Sequence, residues 1–269
     1  MILLVIGLIT SAFPQTNSLI LAESLYNNKD YFNSATEYER YLFYLPQTES
    51  SFNIIRLKLA QCYINSRETD KAENILEQVI SERGHLSQDA QLHLAKHYIN
   101  QTDYFRAKIE LNDLLLFNDT KTEKSEIYKI LGYIALYERE TEEALNYFKL
   151  AQDSFLIAKT HMIIKSPNKN LVISQVMSSI IPGSGEIYCG KYGWGILSLI
   201  ANSASIFGAI YSYKNKQYVD ASLILSLLFT RFYNGSRNNA LDFAQEFNEK
   251  MYKSKIIDID KYYNPVDVK

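Results

Sequence analysis

Small, bulky and polar side chains follow one another in an order that repeats about every 35 residues along the first half of the chain. Four small residues mark the period, with intervals of 38, 35 and 37 residues: Ser34, Ala72, Ala107 and Ala144. Twelve residues before each mark stands a second small residue: Ala22, Ala60, Ala95 and Gly132. Four residues after each mark stands a bulky one: Tyr38, Leu76, Leu111 and Phe148. Such units bury their hydrophobic faces only against their neighbours, so the period predicts a helical solenoid.

Each period divides into two helices joined by a short polar turn. The second predicts helices at 52–64 and 72–80, the third at 87–100 and 104–117, and the fourth at 125–137 and 142–153. Where two helices cross, only a small side chain allows a close approach. The expected anchors at these crossings are Ala60, Ala72, Ala95, Ala107, Gly132 and Ala144. Tyr63 and Tyr98 are expected to face inward and to pack within the array.

This spacing resembles that of tetratricopeptide-repeat (TPR) proteins, most closely in the segment LGYIALYERETEEALNYFKLA at 131–151. The resemblance covers roughly residues 17–155, within a solenoid domain assigned to 17–165. It implies an all-α fold, a TPR-like α-solenoid of about four helix-turn-helix repeats. It also implies a concave groove, lined by the first helix of each repeat, that binds an extended peptide or a protein partner.

The N-terminus begins with an apolar run, MILLVIGLI, which small and polar residues follow through Gln15. The run is too short for a membrane-spanning helix of about 20 residues, and it favours a secretory signal peptide at 1–16. No Lys or Arg precedes the run, although a secretory signal normally carries one. A first helix that faces the core is therefore the alternative.

The repeats give way to a different kind of sequence after a turn at 166–170. From Tyr192 to Tyr213 the chain has 22 residues without a charge, enough for a helix to cross about 30 Å of hydrocarbon. A second apolar helix is expected at 218–233, although only ten uncharged residues separate Asp220 from Arg231. The module at 171–252 is therefore predicted as a transmembrane helical hairpin. A soluble hydrophobic cap on the solenoid is the alternative.

A glycine-rich motif, IPGSGEIYCG at 181–190, stands before the first apolar helix. Pro182 is expected to end the preceding helix, and Gly183 and Gly185 are expected to allow a tight bend. Three later glycines would let the chain approach another backbone closely: Gly190, Gly193 and Gly195.

This motif resembles the PGSGQ-x-Y-x-G stretch of a small membrane module in bacterial TPR proteins. Tyr188 and Gly190 match that stretch, and Glu186 stands where glutamine is expected. The resemblance implies a structural turn before a membrane hairpin. After it the chain predicts an amphipathic helix at 238–252 and a tail at 253–269.

The composition offers little for catalysis. The net charge is −2, so no global field attracts nucleic acid. His93 and His97 stand four residues apart on a predicted helix, but no third ligand is evident, and exposed helix histidines are the simpler interpretation. Cys62 and Cys189 fall in different domains and predict no disulfide. No catalytic residue, cofactor or metal site is predicted.

These features favour a non-enzymatic scaffold of the bacterial cell envelope, anchored in the membrane with its TPR domain in the periplasm. Lys214 and Lys216, in a short cytoplasmic loop, would obey the positive-inside rule and leave both flanks outside. The expected partners are a protein or peptide in the groove and membrane lipid around the hairpin. The alternatives are a soluble adaptor and a component of a membrane transport or assembly machine, built around Glu186 and Asp220.

Overall fold

The computed structural model describes residues 17–117 and 121–265, so the predicted signal peptide at 1–16 lies outside the described residues. All regular elements within those ranges are helices, and the predicted all-α fold is confirmed. The chain forms two compact units, of which the first reaches Ser154 and the second comprises Phe155–Tyr263. The solenoid lies in unit 1.

Unit 1 is built from helix pairs. Its helices are α1 (17–27), α2 (Tyr31–Tyr44), α3 (Phe52–Asn65), α4 (Thr69–Ser81), α5 (Ser87–Asn100), α6 (Tyr104–Phe117), α7 (Lys121–Tyr137) and α8 (Thr141–Ala151). Each helix packs on its neighbours in the chain, as α3 does on α2 and α4. The bounds of the third pair are those predicted, whereas α4 and α7 begin three and four residues earlier than predicted.

The small anchor residues lie in the core of unit 1. Gly132 is buried, and the other seven have no exposed surface: Ala22, Ser34, Ala60, Ala72, Ala95, Ala107 and Ala144. Ser34 fits among alanines because its Oγ donates a hydrogen bond of 2.8 Å to the carbonyl oxygen of Ala22. At Gly132 a Cβ would overlap the buried ring of Phe148. At position 132 the crossing of α7 and α8 therefore has no room for a Cβ unless the ring of Phe148 shifts.

The turns inside the repeats share one backbone conformation. The residue seven positions after each first-helix anchor has a positive φ: Lys29, Arg67, Thr102 and Arg139. The Arg67 N–H donates to the carbonyl of Ile64, and the Glu68 N–H to that of Tyr63. This paired pattern is a Schellman motif, which satisfies carbonyls at the helix end. The repeat geometry therefore holds non-glycine residues in a conformation that glycine would adopt more easily.

Unit 2 also consists of helices. They are α9 (Ser154–Ile164), α10 (Leu171–Ile180), α11 (Ser184–Tyr188), α12 (Tyr192–Lys214), α13 (Tyr218–Leu223), a π-helical segment (Ile224–Phe229) and α14 (Thr230–Tyr262). The sequence pattern does not predict α9. The division between the units lies N-terminal to the linker predicted at 166–170. The reason is that α9 packs beside the end of α14. The rings of Phe155 and Tyr262 are 4.1 Å apart there.

The helical path from Tyr218 to Tyr262 has no break. The second apolar helix expected at 218–233 is its first part, and the amphipathic helix predicted at 238–252 is a section of α14. The helix then continues ten residues into the segment predicted as a tail. It does so because neither glycine nor proline occurs between Gly235 and Pro265, and because Ile256 and Ile259 are buried.

Candidate functional site

Three first helices of unit 1 carry the same kinds of side chain in the same order. Each has a leucine three residues before its anchor, a polar residue one after it and an asparagine five after it. The sets on α1, α3 and α5 are Leu19–Glu23–Asn27, Leu57–Gln61–Asn65 and Leu92–Lys96–Asn100. Members of a set are four residues apart, so each set forms a stripe along one helix face. The three stripes are called the first-helix surface below.

The three stripes are also equivalent in their exposure. The leucines and the central polar residues are half-buried, and the asparagines are exposed. In the described part of the chain, the side chains of Asn27, Asn65 and Asn100 make no hydrogen bond. A carboxamide has two donors and an acceptor, so each asparagine can pair with both groups of a peptide unit.

Side-chain contacts place the first two stripes next to each other. The hydroxyl of Tyr26 donates to Gln61 Oε1 over 3.2 Å, and Lys58 forms an ion pair with Glu23. Both contacts join α1 to α3, which are the first helices of successive repeats. The fourth repeat departs from the pattern, since its equivalent residues are Lys129, Tyr133 and Tyr137. The first-helix surface therefore covers three repeats.

The predicted tyrosine anchors have a different place. Tyr63 is buried and donates its hydroxyl hydrogen to Glu39 on α2. Tyr98 is buried beneath the guanidinium of Arg106, whose Cζ is 4.2 Å from the ring centroid. Both side chains pack inside the array. The sequence reasoning missed the three stripes, although the register of the small anchors was sufficient to find them.

The prediction of exposed helix histidines is wrong for His97, which is 3% exposed. Its Nε2 lies 2.9 Å from Gln101 Nε2 and 3.4 Å from Glu73 Oε1. Its Nδ1 is buried without a hydrogen-bond partner. Burial lowers the pKa of His97, against the opposing effect of Glu73. His97 is therefore a core residue whose burial favours the neutral imidazole.

On α12 of unit 2 the large apolar side chains are exposed, and the buried residues are small or polar. Among the described helices, α12 is the one long and apolar enough to cross a membrane, judged by length and composition. Its exposed side chains include Trp194, Leu197, Ile200, Phe207 and Ile210, and its buried residues are Gly195, Asn202, Ser205, Ala209 and Ser212. This distribution is the reverse of that in a water-soluble core, and it is typical of helices that pack within lipid.

The glycine-rich motif lies where the helices of unit 2 approach most closely. A Cβ on Gly183 would overlap the carbonyl oxygen of Gly195 on α12. A Cβ on Gly185 would overlap the carbonyl oxygen of Ser174 and stand 2.7 Å from Cβ of Ala240 on α14. Gly183 also has a φ of 99°. These two glycines therefore allow α10, α11, α12 and α14 to meet in one crossing.

The other motif residues have separate roles. Helix α10 ends at Ile180, two residues before Pro182. The Tyr188 hydroxyl accepts the backbone N–H of Asn170 over 3.3 Å. Gly190 has a φ of 80° but no atom near its Cβ position, and Gly193 likewise faces open space. The expectation of close backbone approach is therefore wrong for these two glycines, and it holds for Gly195.

Glu186 is the centre of the crossing, and it is fully buried. Its Oε2 accepts from Ser178 of α10 over 2.6 Å and from Ser236 of α14 over 3.2 Å. Its Oε1 accepts from Ser198 of α12 over 2.8 Å. One carboxylate on α11 is thus bonded to hydroxyls from three other helices.

In two of these hydrogen bonds the serine must be the donor. Ser178 Oγ accepts the N–H of Gly185 over 3.0 Å, and Ser236 Oγ accepts the N–H of Gly183 over 2.9 Å. An amide can only donate, so both hydroxyls are left to donate their single hydrogens to Glu186 Oε2. The bond between Oε1 and Ser198 has no such restriction. Glutamine, which the related motif has at this place, could donate there to Ser198.

A family model described as tetratricopeptide repeat matches residues 56–83, which include most of α3 and all of α4. No curated protein and no solved structure matches the chain. Tetratricopeptide repeats generally bind protein or peptide partners, and proteins that contain them are generally non-enzymatic scaffolds. The match therefore supports a role for the chain in protein–protein interaction.

Proposed function

We propose that the chain is a non-enzymatic scaffold of the bacterial cell envelope, whose first-helix surface binds a protein or peptide partner and whose unit 2 anchors it in the membrane. The observation that carries the proposal is the combination of repeats in unit 1 with α12 in unit 2, whose large apolar side chains are exposed and whose buried residues are small or polar. A scaffold needs a binding surface and a fixed location, and these two features would supply them.

The chemistry of the first-helix surface suits an extended segment of a partner. Exposed carboxamides at Asn27, Asn65 and Asn100 would pair with the partner's backbone, in the way that an added strand would. The half-buried leucines beside them would accept apolar side chains. Lys96 forms no salt bridge with a described residue, so it would favour an acidic group at that end of the segment.

The membrane anchor rests on the length and the surroundings of α12. Its 23 residues correspond to about 34 Å of helix, and hydrocarbon is about 30 Å thick. The π-helical segment and α13 pack along it as the return arm of a hairpin. We place the loop with Lys214 and Lys216 on the cytoplasmic side, which would put unit 1 in the periplasm.

The partner-binding part can be tested by photocrosslinking in cells. A photoreactive amino acid at Leu57 is expected to give a defined adduct that is recovered in the membrane fraction. Replacing Asn27, Asn65 and Asn100 together by alanine should reduce the adduct about tenfold or more, at about 0.5–1.5 kcal/mol for each lost hydrogen bond.

The chain offers a matched control on its second helices. Asn33, Asn74 and Asn112 are exposed asparagines on α2, α4 and α6, away from the first-helix surface. Replacing these three by alanine should leave the adduct at the wild-type level. Equal losses in the two triple variants would contradict the assignment of the groove.

A further inference from the structure

A cleft with basic walls lies in unit 2, between the end of α9 and α14. It has a volume of about 340 Å³, at the small end of the range for ligand pockets. Its cationic or titratable side chains are His161, Lys165 and Lys255, and Met162, Pro167 and Met251 provide apolar walls. Among the residues that the structure describes, no acidic side chain lines it. The cleft combines positive charge with apolar surface.

The two lysines of the cleft keep their charge available. Neither Lys165 nor Lys255 makes a salt bridge or hydrogen bond within the described residues. The carboxylate of Asp258, three residues further along α14 than Lys255, is bound by Lys159 over 2.7 Å, and this contact is the largest cause of the lowered pKa of Asp258. An anion in the cleft would therefore meet two lysines that form no direct ion pair with a described residue, and Lys255 acts on Asp258 only as a minor Coulombic contribution.

Contacts between α14 and α12 show how far the cleft lies, along the helix direction, from the beginning of α12. Where α12 begins, the ring centroids of Trp194 and Phe243 are 6.2 Å apart, and Lys191 pairs with Glu246 over 2.9 Å. Aromatic and basic residues of this kind mark the boundary of the hydrocarbon. In the proposed orientation, this boundary lies near Glu246.

The cleft lies a short distance beyond that boundary. Met251 is about 7 Å and Lys255 about 13 Å further along α14 than Glu246, at about 1.5 Å per residue. Side chains on a helix point back towards its N-terminus, so Lys255 points back towards the boundary. Because Phe155 packs at Tyr262, the C-terminal end of α9, with Lys165, is the end nearer to α12. The headgroup layer is about 5–8 Å thick on each side of a bilayer, so the cleft begins at headgroup depth.

We infer that this cleft binds the phosphate of an anionic phospholipid headgroup, with Lys165 and Lys255 as the charged contacts. The inference rests on the proposed membrane anchor, since depth is what distinguishes a lipid from a free phosphate. Bound lipid would hold α9 against α14 at the membrane surface.

The test uses the full-length chain in neutral detergent, titrated with phosphatidylglycerol, with bound lipid counted by native mass spectrometry. The double variant Lys165→Gln, Lys255→Gln should bind the lipid about 30-fold more weakly, at a factor of about five for each lysine. The matched control is Lys250→Gln, Lys253→Gln, which removes the same charge from exposed positions on α14 outside the cleft. The affinity of the control variant for the lipid should fall by less than about twofold.

Other outcomes separate the possible explanations. Equal losses in the two double variants would show general attraction to basic residues and would overturn the cleft assignment. Inorganic phosphate that binds in a Lys165- and Lys255-dependent manner, without any preference for phosphatidylglycerol over phosphatidylcholine, would overturn the lipid ligand. Failure of the wild-type chain to incorporate into vesicles would contradict the membrane anchor itself. Incorporation together with unchanged lipid binding in the cleft variant would overturn only the cleft.

Discussion

Replacing Glu186 by leucine removes the acceptor of two buried hydroxyl groups and one half-buried hydroxyl group while keeping a side chain of similar size. Ser178 and Ser236 cannot turn to other acceptors without giving up the amides of Gly185 and Gly183. A buried polar group left without a partner costs about 1–3 kcal/mol, so these two hydroxyls together should cost about 2–6 kcal/mol. Ser198 can turn its hydroxyl to a carbonyl of its own helix, so it adds little.

Glu186→Gln should behave differently. The glutamine oxygen would still accept from Ser178 and Ser236, and its amide would donate to Ser198 Oγ. We therefore expect this variant to stay within about 1 kcal/mol of the wild type. The comparison separates the acceptor shared by Ser178 and Ser236 from the negative charge, because leucine removes both, whereas glutamine removes the charge and keeps that acceptor.

The assay is thermal and denaturant unfolding of the full-length chain in detergent, followed by tryptophan fluorescence. Trp194 is the single tryptophan, and it precedes Gly195 at the crossing, so the signal reports on this region. Glu186→Leu should melt far below the wild type and Glu186→Gln close to it. If Glu186→Gln is as unstable as Glu186→Leu, the charge and not the acceptor geometry stabilises the crossing, and the reasoning is refuted.

Three further predictions concern unit 1. Gly132→Ala should destabilise the full-length chain by about 1–3 kcal/mol because its Cβ would overlap a buried aromatic ring, whereas Gly84→Ala, with nothing near its Cβ position, should change the denaturation midpoint little. Arg67→Gly should stabilise the chain by about 0.5–1 kcal/mol because Arg67 has a φ of 65°; an unchanged or lowered midpoint would contradict this account of the turn. Burial lowers the pKa of His97 from 6.5, so the unfolded state takes up the proton and stability should fall as the pH drops below about 6.5. The stability of the variant His97→Gln should fall less at low pH than that of the wild type. Part of the fall should remain, because burial also lowers the pKa of His93. An unaltered pH profile in this variant would contradict the assignment to His97.

The sequence predicted the architecture of unit 1 because its packing depends on a few small residues at fixed spacing. Ala72 and Ala107 occur where no larger side chain fits, so their period reports the helix crossings directly. A groove lined by the first helices was expected from the resemblance, but its residues were not predicted, because a surface side chain has no packing requirement that marks it. Asn65 is recognised only after the anchors are aligned and the helix face is known.

Unit 2 was predicted less completely. The apolar run of α12 is evident, but the continuity of α13, the π-helical segment and α14 depends on contacts with other helices. Asp220 and Arg231 suggest helix ends in the sequence, yet the helix passes through both. The role of Glu186 could not be predicted either, since its serine partners come from three helices that are distant in sequence.

The measurement that tests the central claim most directly is membrane fractionation of the full-length chain, with a carbonate wash and protease treatment of spheroplasts. The account predicts that the chain remains in the washed membranes and that protease added outside digests unit 1, while a cytoplasmic marker protein stays intact. Release of the chain by carbonate would contradict the membrane anchor. Retention of the chain with unit 1 protected from the protease would contradict the periplasmic orientation.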